Sequence, residues 1–159
     1  MPFGRNLLIH GLTVLALLAI VSAGARLARD PANTAPRVVE QAAACDLGTQ
    51  SCEVLLEQGQ SLSLTVTPRH AVSGRPMHLS LTARGIELDQ AELEFEGLEM
   101  SMGVFRMALS PDSGGQFYGQ TVLPVCVSGA MQWRLNLLVV SAGVRRTVPF
   151  LLVTTGAKV

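Results

Sequence analysis

The sequence predicts an all-β domain, and three observations carry that prediction. Apolar and polar residues alternate with a period of two: Leu62, Leu64 and Val66 between Ser61, Ser63 and Thr65; Leu79, Leu81 and Ala83 between Ser80, Thr82 and Arg84. Such alternation sets one face of a strand against a core and the other in water. Turn signals separate these runs at Gly59, Ser73-Gly-Arg-Pro76, Arg84-Gly85, Pro111-Asp-Ser-Gly-Gly115, Ser128-Gly129 and Ala142-Gly143. No long amphipathic helix interrupts them. The pattern fits an immunoglobulin-like antiparallel β-sandwich of about seven strands.

The later runs obey the same rule. Leu93 and Phe95 alternate with Glu92, Glu94 and Glu96, so the acidic stretch over residues 87–99 reads as the wet face of a strand. Met107 and Leu109, residues 117–122 and residues 131–140 continue the alternation. Residues 147–155 are apolar on both faces, which predicts a central or doubly covered strand.

Ahead of the strands, residues 7–25 form an apolar run of about nineteen, broken only by His10, enough to reach across hydrocarbon. Arg5 precedes it, which favours a cytoplasmic N-terminus. The expected organisation is a transmembrane anchor over 1–26, a tether over 27–44 punctuated by Asp30-Pro31 and Ala35-Pro36, and an exported domain over 45–159. A cleaved signal ending at Ala23-Gly-Ala25 is the alternative reading of the first segment. A short helix over residues 37–44 is the alternative for the end of the tether. Export follows from either reading of the first segment.

Composition removes several function classes. The 159 residues carry zero formal net charge with a single lysine, Lys158, so neither nucleic acid nor a polybasic lipid contact is expected. There is no Gly-x-Ser-x-Gly elbow, no His-Glu-x-x-His and no glycine-rich phosphate loop, and no catalysis is expected.

The cysteines divide into a pair and a singleton. Cys45 and Cys52 enclose a short loop with a turn at Gly48, which in an oxidising compartment predicts a local disulfide. Metal ligation by the reduced pair is the alternative, and Cys126 is expected to be a free thiol. Three further sulfurs share its surroundings in sequence. Met100 and Met102 are two apart, as are Met131 and Trp133, so in extended chain each pair shares a face. Thioether and thiolate are soft ligands suited to Cu(I). The candidate metal ligands are therefore Met100, Met102, Cys126 and Met131, with Trp133 shielding the ion as a cation–π contact would. Read singly, each methionine also fits a gap-filling core position, Trp133 a central core aromatic, and Cys126 a small buried hydrophobe. His70 is expected in a loop, and His78 faces away from Met77 and Leu79.

The set Glu99-Met-Ser-Met-Gly103, Tyr118-Gly119, Leu123-Pro-Val-Cys126 and Met131-Gln-Trp133, with Cys45 and Cys52 ahead of it, resembles the FixH-like and YtkA-like group of small bacterial proteins. That resemblance implies a single-pass protein of a Gram-negative inner membrane with a periplasmic sandwich. It also implies partners among copper transporters or cytochrome oxidase assembly components. Periplasmic Cus-type copper chaperones, which hold Cu(I) by paired methionines and a histidine under a tryptophan, offer a second analogy, in which this sequence has Cys126 where they use a histidine. The resulting expectation is a protein that handles Cu(I) or assists assembly of a copper-dependent respiratory complex. The competing expectation is a metal-free periplasmic module that docks a membrane partner through its sandwich, since methionine-lined surfaces adapt to partners.

Overall fold

The computed structural model describes residues 37–38, 45–125 and 129–156, of which 37–38 are described in backbone only. The expected anchor over 1–26 lies outside them, as do most of the tether and Cys126. No helix of the described residues is long and apolar enough to cross a membrane.

Nine strands appear among the described residues: β1 (Arg37–Val38), β2 (Cys52–Leu55), β3 (Ser61–Thr67), β4 (Pro76–Arg84), β5 (Gln90–Gly97), β6 (Val104–Pro111), β7 (Phe117–Val122), β8 (Met131–Ser141) and β9 (Val144–Thr154). Seven of them, β3 to β9, are the runs that the alternation marks. β1 and β2 are additions. Arg37–Val38 is strand where a short helix was the alternative.

The fold is all-β and sandwich-like, and its strands pair antiparallel except β1 with β9, with isolated parallel bridges at Asp46–Leu151 and Val72–Thr155. One layer runs β1-β9-β8-β5-β6 and the other β6-β7-β4-β3-β2. β6 belongs to both. Residues 104–109 pair with β5, and Ser110 and Pro111 pair with Tyr118 and Phe117 of β7. Every second residue of each layer points into one core. Leu62, Leu64, Val66, Met77, Leu79 and Leu81 meet Leu93, Phe95, Trp133, Leu135, Leu137, Val148, Phe150 and Leu152, all buried. Each such side chain stabilises by roughly 1.5–3 kcal/mol relative to exposure.

Glu92, Glu94 and Glu96 lie on the outer face of β5 between buried Ala91, Leu93 and Phe95. Two of them are matched across strands, Glu94 by Arg106 at 2.6 Å and Glu96 by Arg134 at 3.2 Å. Exposed pairs of this kind contribute about 0.2–1 kcal/mol each.

β9 is an interior strand, paired at both edges; Val148, Phe150 and Leu152 face the core, and its outer-face Pro149, Leu151 and Val153 are half-buried. β8 pairs along its whole length, and the incoming chain lies along the other edge. Leu47 N–H donates to the Leu151 carbonyl at 2.9 Å, and Leu151 N–H to that of Cys45 at 3.4 Å. The Asp46 carboxylate accepts from Val153 N–H at 3.1 Å and Gly48 N–H at 2.8 Å. Cys45 then bridges to Cys52 on β2, with Cα atoms 5.9 Å apart. The bond ties the edge of one layer to the edge of the other.

The β8–β9 turn is the two-residue hairpin at Ala142-Gly143, and both residues have positive φ, 49° and 74°. That is the turn whose twist matches the strands, and it prefers Asn-Gly. Alanine in the left-handed region costs about 1–2 kcal/mol. Ala142→Asn is therefore expected to stabilise the domain by about 1 kcal/mol, read as a higher urea midpoint with an unchanged slope.

Candidate functional site: a sulfur-bearing rim

Four segments meet at the end of the sandwich where β5 ends and β8 begins: the β3–β4 loop, the β5–β6 loop, the β7–β8 loop and the chain after β9. Gly97 sits opposite Trp133 in the β5–β8 ladder, and Leu98 N–H donates to the Gln132 carbonyl at 3.0 Å. The turn over residues 98–103 therefore folds back above the start of β8. A Cβ at Gly97 would stand 2.4 Å from the Met131 methyl and 2.7 Å from the Met100 carbonyl oxygen. Only glycine fits there, and the Met131 side chain lies directly beneath the turn that carries Met100 and Met102.

The sulfurs differ in access. Met100 is exposed, Met102 is half-buried and Met131 is buried. The turn encloses a hollow of about 270 Å³, bordered by Glu96, Glu99, Met100 and Met102. Cys126 lies outside the described residues, and Val125 and Gly129 flank its segment. Val125 packs on Gly74, where a Cβ would meet its Cγ2 at 2.7 Å, and Gly129 packs on Gly156 with comparable contacts. Both belong to this rim.

Beneath the turn is a polar centre that the sequence reading missed. Thr154 is wholly buried. Its hydroxyl accepts from Trp133 Nε1–H at 3.1 Å, pairs with the Ser73 hydroxyl at 2.9 Å, and reaches the Met131 carbonyl at 3.4 Å. The last bond uses the threonine proton, so Ser73 donates to Thr154. Ser73 N–H also donates to the Thr155 carbonyl at 2.9 Å, and Gly74 N–H to that of Leu123 at 2.8 Å. These bonds lock the β3–β4 loop, the start of β8 and the end of β9 together. Ser73 and Thr154 carry no motif, because a buried hydroxyl is recognisable only once its neighbours are known.

Trp133 is wholly buried and meets Phe105 edge to face, with ring centroids 6.4 Å apart. Its position is that of a core aromatic adjoining Met131. His78 is exposed on the outer face of β4, opposite to buried Met77 and Leu79, as the alternation predicts. His70 is exposed in the β3–β4 loop with φ of 55°. No three His, Cys, Asp or Glu side chains among the described residues gather as a metal site. A site here would have to be built from thioethers and the Cys126 thiol.

Electrostatically the rim adjoins the most acidic part of the chain. Residues 87–112 hold seven acids (Glu87, Asp89, Glu92, Glu94, Glu96, Glu99, Asp112) and one base (Arg106), a net of −6 in a chain of net zero. A field of that sign favours cations and cationic partners.

No family model matches the chain, and no curated protein matches it. Two solved structures are similar. One is an engineered protein, at 11% identity and TM-score 0.41, over 60% of this chain and 20% of that one. The other is a DUF4785 family protein from Legionella pneumophila, at 9% identity and TM-score 0.45, over 61% of this chain and 28% of that one. The chain thus spans less than a third of either.

Proposed function

We propose that this is a single-pass, inner-membrane protein whose periplasmic immunoglobulin-like sandwich handles Cu(I) at the sulfur-bearing rim. It would pass the ion by ligand exchange to a copper transporter or a cytochrome oxidase assembly component, with no chemistry on a substrate. The strand order supports the finer fold name: β3-β4-β7 against β9-β8-β5-β6, with the chain crossing between layers at β4–β5, at β6–β7 and at β7–β8. The disulfide supports an oxidising compartment. The observation that carries the metal reading is the packing of Met131 under the turn bearing Met100 and Met102, with both ends of the Cys126 segment at the same rim. In this reading Met100, Met102 and Cys126 hold the ion, and Met131 and Trp133 close its inner side.

The test is a Cu(I) titration of the full chain in detergent, under reducing conditions, against a chromophoric chelator. Cys126→Ser is expected to weaken binding more than Met100→Leu or Met102→Leu, because a thiolate adds charge that a thioether lacks. Binding releases the thiol proton, so affinity falls as pH falls. The methionine substitutions keep volume and cost under about 1.5 kcal/mol of stability. Absence of Cu(I) binding by the folded chain would remove this reading.

A second reading, a metal-free module that docks a membrane partner, is favoured by the apolar residues exposed at the same rim. Leu98, Met100, Val104 and Val125 are 42%, 38%, 56% and 54% accessible.

A further inference from the structure

We infer that the splayed edges of β6 and β7 take up an extended, basic segment of a partner protein as an added strand. The inference gives the docking reading a place and a partner chemistry, and it holds whether or not the rim binds Cu(I).

The backbone provides the first argument. β6 and β7 pair only through Ser110–Tyr118 and Pro111–Phe117, then separate. Antiparallel ladders alternate residues that bond to one neighbour with residues that bond to the other. Leu98 N–H bonds to the Gln132 carbonyl, so the even-numbered residues of β5 face β8 and its odd-numbered residues face β6. Phe105, Met107 and Leu109 then bond to β5, while Val104, Arg106 and Ala108 aim their N–H and C=O groups outward. The Asp112 N–H bond to the Gln116 carbonyl in the β6–β7 turn has the same parity. By that parity Gln120 and Val122 of β7 aim theirs toward the same opening. Among the described residues, no strand pairs with either edge there.

The side chains provide the second. Among the described residues eight large apolar side chains are exposed, and Val104, Phe105, Tyr118 and Val122 of this set stand on the two splayed strands, with Leu98, Met100 and Val125 just beyond their ends. Leu55 is the exception. A long apolar edge bearing one charge, Arg106, invites strand addition, and proteins usually protect such edges. An added strand would set alternate side chains against Phe105 on the inner side, beside the Met107 side chain that reaches across to Gly119 of β7, and along Arg106 and Ala108 on the outer.

Charge identifies the occupant. β5, β6 and their flanking loops are the part of the chain with net charge −6. Glu94 is engaged by Arg106. Glu92 faces Ala108 across the β5–β6 ladder, and the small alanine leaves a path by which an arginine of the added strand reaches that carboxylate. A second copy is disfavoured on the same ground, because edge-to-edge pairing about a two-fold axis would bring two acidic hairpins together. The mode is β-strand addition to a sheet edge, with main-chain bonds supplying affinity and alternate side chains supplying choice.

The test uses the metal-free full chain in detergent and an acetylated, amidated heptapeptide alternating arginine and valine. The peptide should bind and should slow amide exchange at Val104, Arg106 and Ala108. A glutamate-for-arginine peptide should bind at least about tenfold more weakly, and a peptide with proline at its central valine should not bind. Ala108→Pro removes one outward N–H and leaves the β5 bonds of Met107 and Leu109 intact, a position edge strands tolerate. With an unchanged melting temperature it should bind at least about tenfold more weakly as well. Equal affinity for the two charge types, full affinity in folded Ala108→Pro, or no binding at about 1 mM peptide would overturn the inference. Protection confined to other strands would do so too, leaving docking elsewhere on the sandwich open. A concentration-dependent dimer that protects the same amides would replace the partner strand with a second copy.

Discussion

Thr154→Val is expected to destabilise the domain by about 3 kcal/mol, although valine has almost the shape of threonine. The cost comes from what the hydroxyl leaves behind. Trp133 Nε1–H and the Ser73 hydroxyl both donate to it, and Thr154 and Ser73 are fully buried. A buried donor stripped of its acceptor costs about 1–3 kcal/mol, and two are stripped at once. A Ser73→Ala substitution alone removes a donor and its need together, so it should cost only about 1 kcal/mol. In the Thr154→Val background Ser73→Ala should be close to neutral, because the orphaned hydroxyl is gone. The coupling between the two positions should therefore exceed about 0.5 kcal/mol in a double-mutant cycle on urea midpoints. Simple additivity would show that Ser73 finds another partner. Because Thr154 also holds the Met131 carbonyl, amide exchange at Ser73 and Thr155 should accelerate before exchange in the β3–β4 ladder.

Which parts of this arrangement were legible in the sequence follows from how each is encoded. β7 was readable to the residue, Phe117–Val122, because alternation and flanking turns both mark it. β5 and β8 extend one or two residues beyond their alternating centres, for pairing continues wherever a neighbour strand does. β6 was marked only at Met107 and Leu109, yet it runs from Val104 to Pro111. Its first half borders the opening, so Phe105 points inward but stays exposed and the two-residue signal fades. β2 was hidden because Cys-Glu-Val-Leu is too short to show a period. Leu47, completely buried, lies in what reads as a loop; its burial depends on Asp46 and Leu151, which are more than a hundred residues apart. For the sulfur site, the two-residue spacings placed Met131 and Trp133 correctly on one inward face of β8. They did not foretell that Met100 sits on a bend closed by Gly97. That closeness is set by a missing Cβ, which no periodicity records.

Removing the disulfide with paired Cys45→Ser and Cys52→Ala substitutions is expected to cost about 2.5 kcal/mol. The two cysteines are seven positions apart, and closing a loop of that size in the unfolded chain accounts for an entropic contribution of this order. The structural consequence should be local before it is global. The bond anchors the segment that lies along β9, where Leu47 N–H, Asp46 Oδ1 and the Cys45 carbonyl satisfy the strand's outer edge. Released from β2, that segment should fray, exposing Leu47 and an edge of β9 that is apolar on both faces. Amide exchange at Leu151 and Val153 should then accelerate more than at Val148 or Phe150, and the exposed edge should raise aggregation at high concentration. Asp46→Ala separates the two contributions. It removes the carboxylate's bonds to Val153 and Gly48 but keeps the covalent tie, so it should cost only about 1–2 kcal/mol and leave the chain monodisperse. If the reduced and oxidised proteins unfold at the same urea concentration, the backbone bonds of residues 45–47 hold the edge alone and the disulfide adds nothing to it.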